Sequence, residues 1–86
     1  MNIIFSKHAQ EQMHRRGIKY ETVLFTISQP DQTIIDEDDM SIIIYQSIIK
    51  DDEQMFLLRV LVNKDKQPNV IVTLYKTTKI LKYYES

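Results

Sequence analysis

Arg59 is the one charged residue in Met55 to Val62, a run otherwise made of seven apolar side chains. A guanidinium there is costly unless it is paired or wet, and its planar fork of N–H groups matches a carboxylate or a phosphate. Two readings stand side by side: a salt bridge to a carboxylate from the middle of the chain, or an anion-binding site. Near the C-terminus Lys76, Lys79 and Lys82 recur every third residue beside Tyr75, Tyr83 and Tyr84. Cations interleaved with aromatics suit a nucleic-acid backbone, the rings offering stacking surfaces. The same pattern describes a solvated terminal element whose tyrosines seal a small core. Towards the N-terminus His8 and Arg15 are seven residues apart and project from one helical face, with Arg16 on the flank nearer Ala9 and Met13. A lone histidine at such a place is either a proton-transfer group or a surface or capping residue.

Other chemistries are excluded by residue type. The absence of cysteine removes disulfides, iron–sulfur clusters, thiolate zinc and cysteine catalysis together. His8 and His14, six apart, point to different faces of a helix, so they are no zinc pair. The acidic run Asp36 to Asp39 lacks the glycine and the later bidentate glutamate of a calcium loop. Gly17 is the only glycine, which leaves no glycine-rich phosphate loop. Ser6, Ser28, Ser41 and Ser47 stand in no nucleophile elbow. No metal and no cofactor is expected.

These side chains need elements to hold them. Ser6 is a good N-cap for a helix through about Arg16, and Gly17 in the left-handed conformation would close it. Ile18 and Val23 are spaced as a hydrophobic staple around a second helix starting near Lys19, with Tyr20, Val23, Leu24 and Ile27 at helical spacing and Pro30 as its stop. Lys19 is a poor cap for it. From residue 33 the period changes. Thr33-Ile34-Ile35, Ile42 to Tyr45, Met55 to Val62 and Val70 to Tyr75 read as four strands of an antiparallel meander, with turns at Asp36 to Asp39 and Asn63 to Asn69. The fold expected is α+β: two N-terminal helices on one face of a four-stranded antiparallel sheet. Alternation puts Phe56, Leu58, Val60 and Val62, with Val70, Val72 and Leu74, under the helices. Arg59, Thr73 and Tyr75 then share the open face of two neighbouring strands. The tail from Lys76 is either a short helix or an extended strand.

Eighty-six residues make room for a single domain, residues 1–86, and the balance of 43% hydrophobic to 27% charged is ordinary for a globular protein. The net charge of −1 argues against binding nucleic acid through overall charge. The charge is unevenly spread, however: residues 31–53 carry eight acidic groups against Lys50 alone, while residues 54–86 are net +4. That block is a solvated face, a counterpart of the basic ends, or a rim that discourages arbitrary RNA. Met1-Asn2-Ile3-Ile4-Phe5 lacks the basic segment and long apolar core of a signal peptide, and no apolar run approaches a membrane span. A small cytoplasmic domain without a membrane partner is expected.

The ordered set Phe5-Ser6-Lys7-His8-Ala9, Arg16-Gly17-Ile18, Val23, Gln29-Pro30, Leu58-Arg59-Val60, Ile71 to Tyr75, Lys76 to Ile80 and Lys82-Tyr83 resembles the bacterial family known as domain of unknown function 4258. That family looks like a relative of the RelE and BrnT group of small toxin ribonucleases. Lys19 replaces the usual small polar cap of the second helix, and the acidic middle block is a further departure. The resemblance implies metal-independent cleavage of RNA by its own 2′-hydroxyl, and a small antitoxin-like protein encoded nearby as partner. Under it His8, Arg59 and Tyr75 would be catalytic. His8 would supply acid or base, Arg59 would grip the phosphate, and Tyr75 would stack a base or donate a proton. Arg15, Arg16, Thr73, Lys79 and Tyr83 would bind substrate.

Two functions follow as expectations. One is a toxin-type endoribonuclease, a hydrolase acting on RNA. The other is a non-catalytic interaction domain whose isoleucine-rich sheet edge accepts a small partner or a second copy, giving a homodimer.

Overall fold

Ser6 decides where the chain stops being extended and starts to coil. Its hydroxyl accepts the N–H of Ala9 at 3.0 Å, which caps helix α1 (Lys7–Arg15), and donates to the carbonyl of Val72 at 2.9 Å. Its own N–H donates to the carbonyl of Ile71 at 2.9 Å. One residue therefore both starts the helix and fastens the segment before it to the far end of the chain. That segment is strand β1 (Ile3–Phe5), which lies parallel to a later strand through Ile3–Asn69, Ile4–Val70 and Phe5–Ile71. The computed structural model describes residues 2–85.

Helix α1 ends as its glycine requires. Gly17 has φ +64°, and the N–H groups of Gly17 and Ile18 return to the carbonyls of His14 and Met13 in a Schellman closure. Helix α2 (Tyr20–Ser28) begins at Lys19 without a side-chain cap and stops before Pro30. It buries Val23, Thr26 and Ile27. Tyr20 departs from the expected stripe: it is about half exposed and stacks on Phe5, the ring centroids 5.2 Å apart.

Four strands follow, β2 (Gln32–Ile35), β3 (Ile42–Asp51), β4 (Gln54–Asn63) and β5 (Asn69–Thr77), each antiparallel to its predecessor. With β1 the sheet has five strands in the order β1-β5-β4-β3-β2, so it is mixed, not purely antiparallel, and has one strand more than the pattern predicts. Three residues are too few to show an alternation, and β1 is held by a partner 66 positions away, so nothing local marks it. The tail forms a single-turn helix, α3 (Ile80–Tyr83).

Helix α1 packs on β5 and β1, and α2 on β3 and β4. Beneath them Ala9, Ile18, Val23, Ile27, Leu58, Val60, Val62, Ile71 and Leu74 form the core. One member corrects the expected faces. The β4–β5 register slips between Leu61–Thr73 and Val62–Ile71, leaving Val72 as the extra residue of a bulge. The slip brings Ile71, not Val72, under the helices, and Ile71 is fully buried. Val70 pairs with Asn63 on the opposite face. The Val72 carbonyl, turned by the bulge, is the group Ser6 bonds.

Candidate functional site

The registers of three strand pairs align one residue from each of four strands. Gln32 on β2 pairs with Gln46 on β3, Gln46 with Arg59 on β4, and Arg59 with Tyr75 on β5. All four lie on the face turned away from α1 and α2, because Leu58 and Val60, on either side of Arg59, belong to the helix-covered core. The side chains bond along the row. Tyr75 accepts a hydrogen bond from Arg59 Nη1 at 2.6 Å, Gln46 Oε1 accepts one from Arg59 Nε at 2.8 Å, and Gln46 Nε2 donates to Gln32 Oε1 at 2.7 Å.

Arg59 is 9% exposed and Gln46 fully buried. Among the described residues no carboxylate meets the guanidinium, the one ion pair being the surface pair Lys64–Asp65. Of the two sequence readings of Arg59, the salt bridge is the one the structure does not make. Its charge is met instead by neutral oxygens and aromatic faces. Its Cζ lies 4.4 Å from the ring centre of Tyr83 and 5.7 Å from that of Tyr75, the two rings standing edge to face. Among the described residues Nη2 has no hydrogen-bond partner. Tyr75, accepting from Arg59, keeps its own hydroxyl proton for another partner.

Above this pair opens a shallow cavity of about 550 Å³. Its walls include Ile44 and Leu61, the rings of Tyr75 and Tyr83, Lys82, and the acidic turn Asp36 to Asp38. Two donors, one cationic, facing a partly apolar hollow make a place for an anion that carries a flat or apolar group. The larger cleft, about 690 Å³, lies elsewhere, where Arg16 and Lys76 face Asp51, Asp52 and Glu53. It contains none of the Arg59 row. Among the described residues no three His, Asp or Glu side chains gather to hold a metal ion.

The acidic block has local work. Asp31 Oδ2 accepts the N–H of Ile48 at 2.8 Å, Asp36 Oδ1 that of Asp38, and Asp39 Oδ1 both the N–H and the hydroxyl of Ser41. The two Ser41 bonds hold the Asp39 carboxyl below its ordinary pKa, the hydroxyl bond being the stronger influence.

Of the residues picked from the sequence, Arg59, Tyr75 and Tyr83 are brought together. Thr73, half-buried, shares their face opposite Leu61 but has no side-chain hydrogen bond. Lys79 is exposed at the start of α3. His8, Arg15 and Arg16 are exposed on α1 or at its end, on the other side of the sheet, and do not join Arg59. Gln46 and Gln32 were missed. A signal for Gln46 existed: it interrupts the apolar run of β3 as Arg59 interrupts that of β4, and a hairpin turning at Asp52-Glu53 pairs the two.

A family model described as Domain of unknown function (DUF4258) matches residues 5–76, most of the chain including Gln32, Gln46, Arg59 and Tyr75. The protein belongs to that family. No curated protein and no solved structure matches it.

Proposed function

We propose that the chain is a metal-independent endoribonuclease of the toxin type, akin to the RelE and BrnT group, with its active site at Arg59 and Tyr75. One observation carries this reading: a guanidinium withdrawn into a sheet, paired with no carboxylate among the described residues, that lines a cavity beside a tyrosine whose proton is unspent. An anion is the missing partner, and the flat ring of Tyr75 suits one attached to a base.

In the reaction the 2′-hydroxyl oxygen attacks the adjacent phosphorus and the bond from phosphorus to the 5′-oxygen breaks. Arg59 Nη2 holds a non-bridging oxygen as charge builds on the phosphorane. Tyr75 donates its proton to the departing 5′-oxygen, and Arg59 Nη1, bonded to the Tyr75 oxygen, steadies the phenolate left behind. The 2′-hydroxyl proton passes to water. His8 has no role, being on the far side of the sheet. Such an enzyme works in the cytoplasm and is restrained by a small antitoxin-like protein encoded beside it.

The reading as an interaction domain rests on the sheet edges, and these are short: β1 has three residues and β2 four. Beyond β2 the Asp31 carboxylate already satisfies the N–H of Ile48.

The test is labelled single-stranded RNA in EDTA with wild type, Arg59→Ala and Tyr75→Phe. Wild type should leave 2′,3′-cyclic phosphate ends, and each variant should lose about a hundredfold in rate. Equal cleavage by wild type and both variants would overturn the site.

A further inference from the structure

The open face of the sheet is not bare. Residues 83–85 cross it and lie on the Arg59 row. Tyr83 sets its ring 4.4 Å from the guanidinium carbon, and its carbonyl accepts from Gln46 Nε2 at 3.2 Å. Two residues on, Glu85 is gripped at both backbone groups by one side chain: its N–H donates to Gln32 Oε1 at 3.0 Å, and its carbonyl accepts from Gln32 Nε2. The amide of Gln32 thus imitates one rung of a β-ladder and holds an extended segment flat against the sheet.

Little else fastens this segment. Helix α3 has four residues, no side-chain cap and no buried residue, and a single turn has no stability of its own. Leu81 is 93% exposed. The grip is therefore concentrated in the Gln32 and Gln46 amides and the Tyr83 ring. The same row that orients Arg59 also holds what covers it: Gln46 accepts from Arg59 on one side and donates to Gln32 and to Tyr83 on the other. Tyr83, Tyr84 and Glu85 form one wall of the Arg59 cavity, so their position sets how wide it opens.

We propose that residues 79–85 are a strap that narrows the Arg59 site in the isolated chain, and that Gln32 is its latch. With the latch released the strap lifts as a unit, and Arg59 and Tyr75 become open to a polynucleotide. The proposal rests on the functional reading above only for the identity of the ligand, since the covering of Arg59 is independent of what binds there.

The reactivity of the arginines tests it without RNA. Phenylglyoxal modification, read residue by residue by mass spectrometry, should be slow at Arg59 in wild type and fast at the exposed Arg15 and Arg16. Gln32→Ala, which removes both bonds to Glu85, should speed the reaction at Arg59 by about tenfold and leave Arg15 and Arg16 unchanged. Glu85→Pro removes the N–H that Gln32 accepts without touching the sheet, and should act in the same direction should Gln32→Ala fail to fold. Hydrogen exchange at residues 80–85 should rise in step, while amides of β4 stay protected. An Arg59 as reactive in wild type as in these variants would overturn the strap. A second arm adds a short single-stranded oligoribonucleotide, which should protect Arg59 and bind more tightly to both variants. A strap that opens without any protection by the oligoribonucleotide would sink the RNA reading and leave the strap standing.

Discussion

The two faces of the sheet are built from the same strands and obey opposite rules. On the helix-covered face Leu58, Val60, Val62, Ile71 and Leu74 meet Ala9, Val23 and Ile27, with no polar row between them. On the other face one residue of each of four neighbouring strands is polar, and the row is bonded end to end. Apolar contact is non-directional and tolerates small shifts, whereas a buried guanidinium demands partners at fixed positions. A domain this small has little stability to spare. That it places Arg59 in its middle strand, in no ion pair among the described residues, agrees with the proposal that the second face is kept for binding while the first holds the fold together.

The largest effect on stability should therefore come from the first face. Leu58 is fully buried between the sheet and the helices, and Leu58→Ala should cost about 3 kcal/mol, read as a lower urea midpoint with an unchanged slope. Cleavage by the fraction that remains folded should be normal. A variant of wild-type stability would show that this face is not where the fold is held.

Arg59→Ala reverses the pattern. It strips Gln46 Oε1 and Tyr75 of their donor, at a cost of about 2 kcal/mol, and on the proposed function should slow cleavage about a hundredfold. His8→Ala makes the contrast sharp. The exposed imidazole lies on the far side of the sheet, so the variant should match wild type in cleavage and lie within about 0.5 kcal/mol of it in stability. Loss of cleavage in His8→Ala with retention in Arg59→Ala would move the active site to the helix side.

What could be read from the sequence divides along the same line. Both helices, the Ser6 cap and the Gly17 closure were legible, because each depends on residues within one turn of one another. So were four of the five strands, and Arg59 and Tyr75 as neighbours on the open face. The exceptions depend on distant pairing. Strand β1 exists because β5 is beside it, and the bulge at Val72, which puts Ile71 in the core, is a matter of register between two strands. His8 and Arg59 each look reactive by type, but the sheet that separates them is a tertiary fact. Gln32 matters only through Gln46 and Glu85, positions 14 and 53 residues away.

Gly17→Ala probes the junction of the two helices on the first face. A Cβ there meets nothing within 4 Å, so the whole cost is the left-handed backbone, about 1 kcal/mol, visible as a drop in Tm of a few degrees. A larger loss would mean that the α1–α2 turn makes contacts which the open space around Gly17 does not suggest.

A small, pH-dependent effect belongs to the rim of the second face. Asp39 accepts two bonds from Ser41 in the turn that follows β2, and these hold its carboxyl below the ordinary range in the folded chain. A carboxyl lowered on folding stabilises the protein above its unfolded pKa, and the contribution is lost as the pH falls from there through the lowered folded value. Asp39→Asn should therefore be slightly less stable than wild type at neutral pH, and the gap should close as both are taken into acid. The group is fully exposed, so the gap should also be small beside that of Gly17→Ala. Matched thermal melts at neutral and acid pH decide it. A gap that widens in acid would mean that the fold raises the Asp39 carboxyl instead of lowering it. A gap as large as that of Leu58→Ala would mean that the acidic rim, and not the apolar face, keeps the sheet in register.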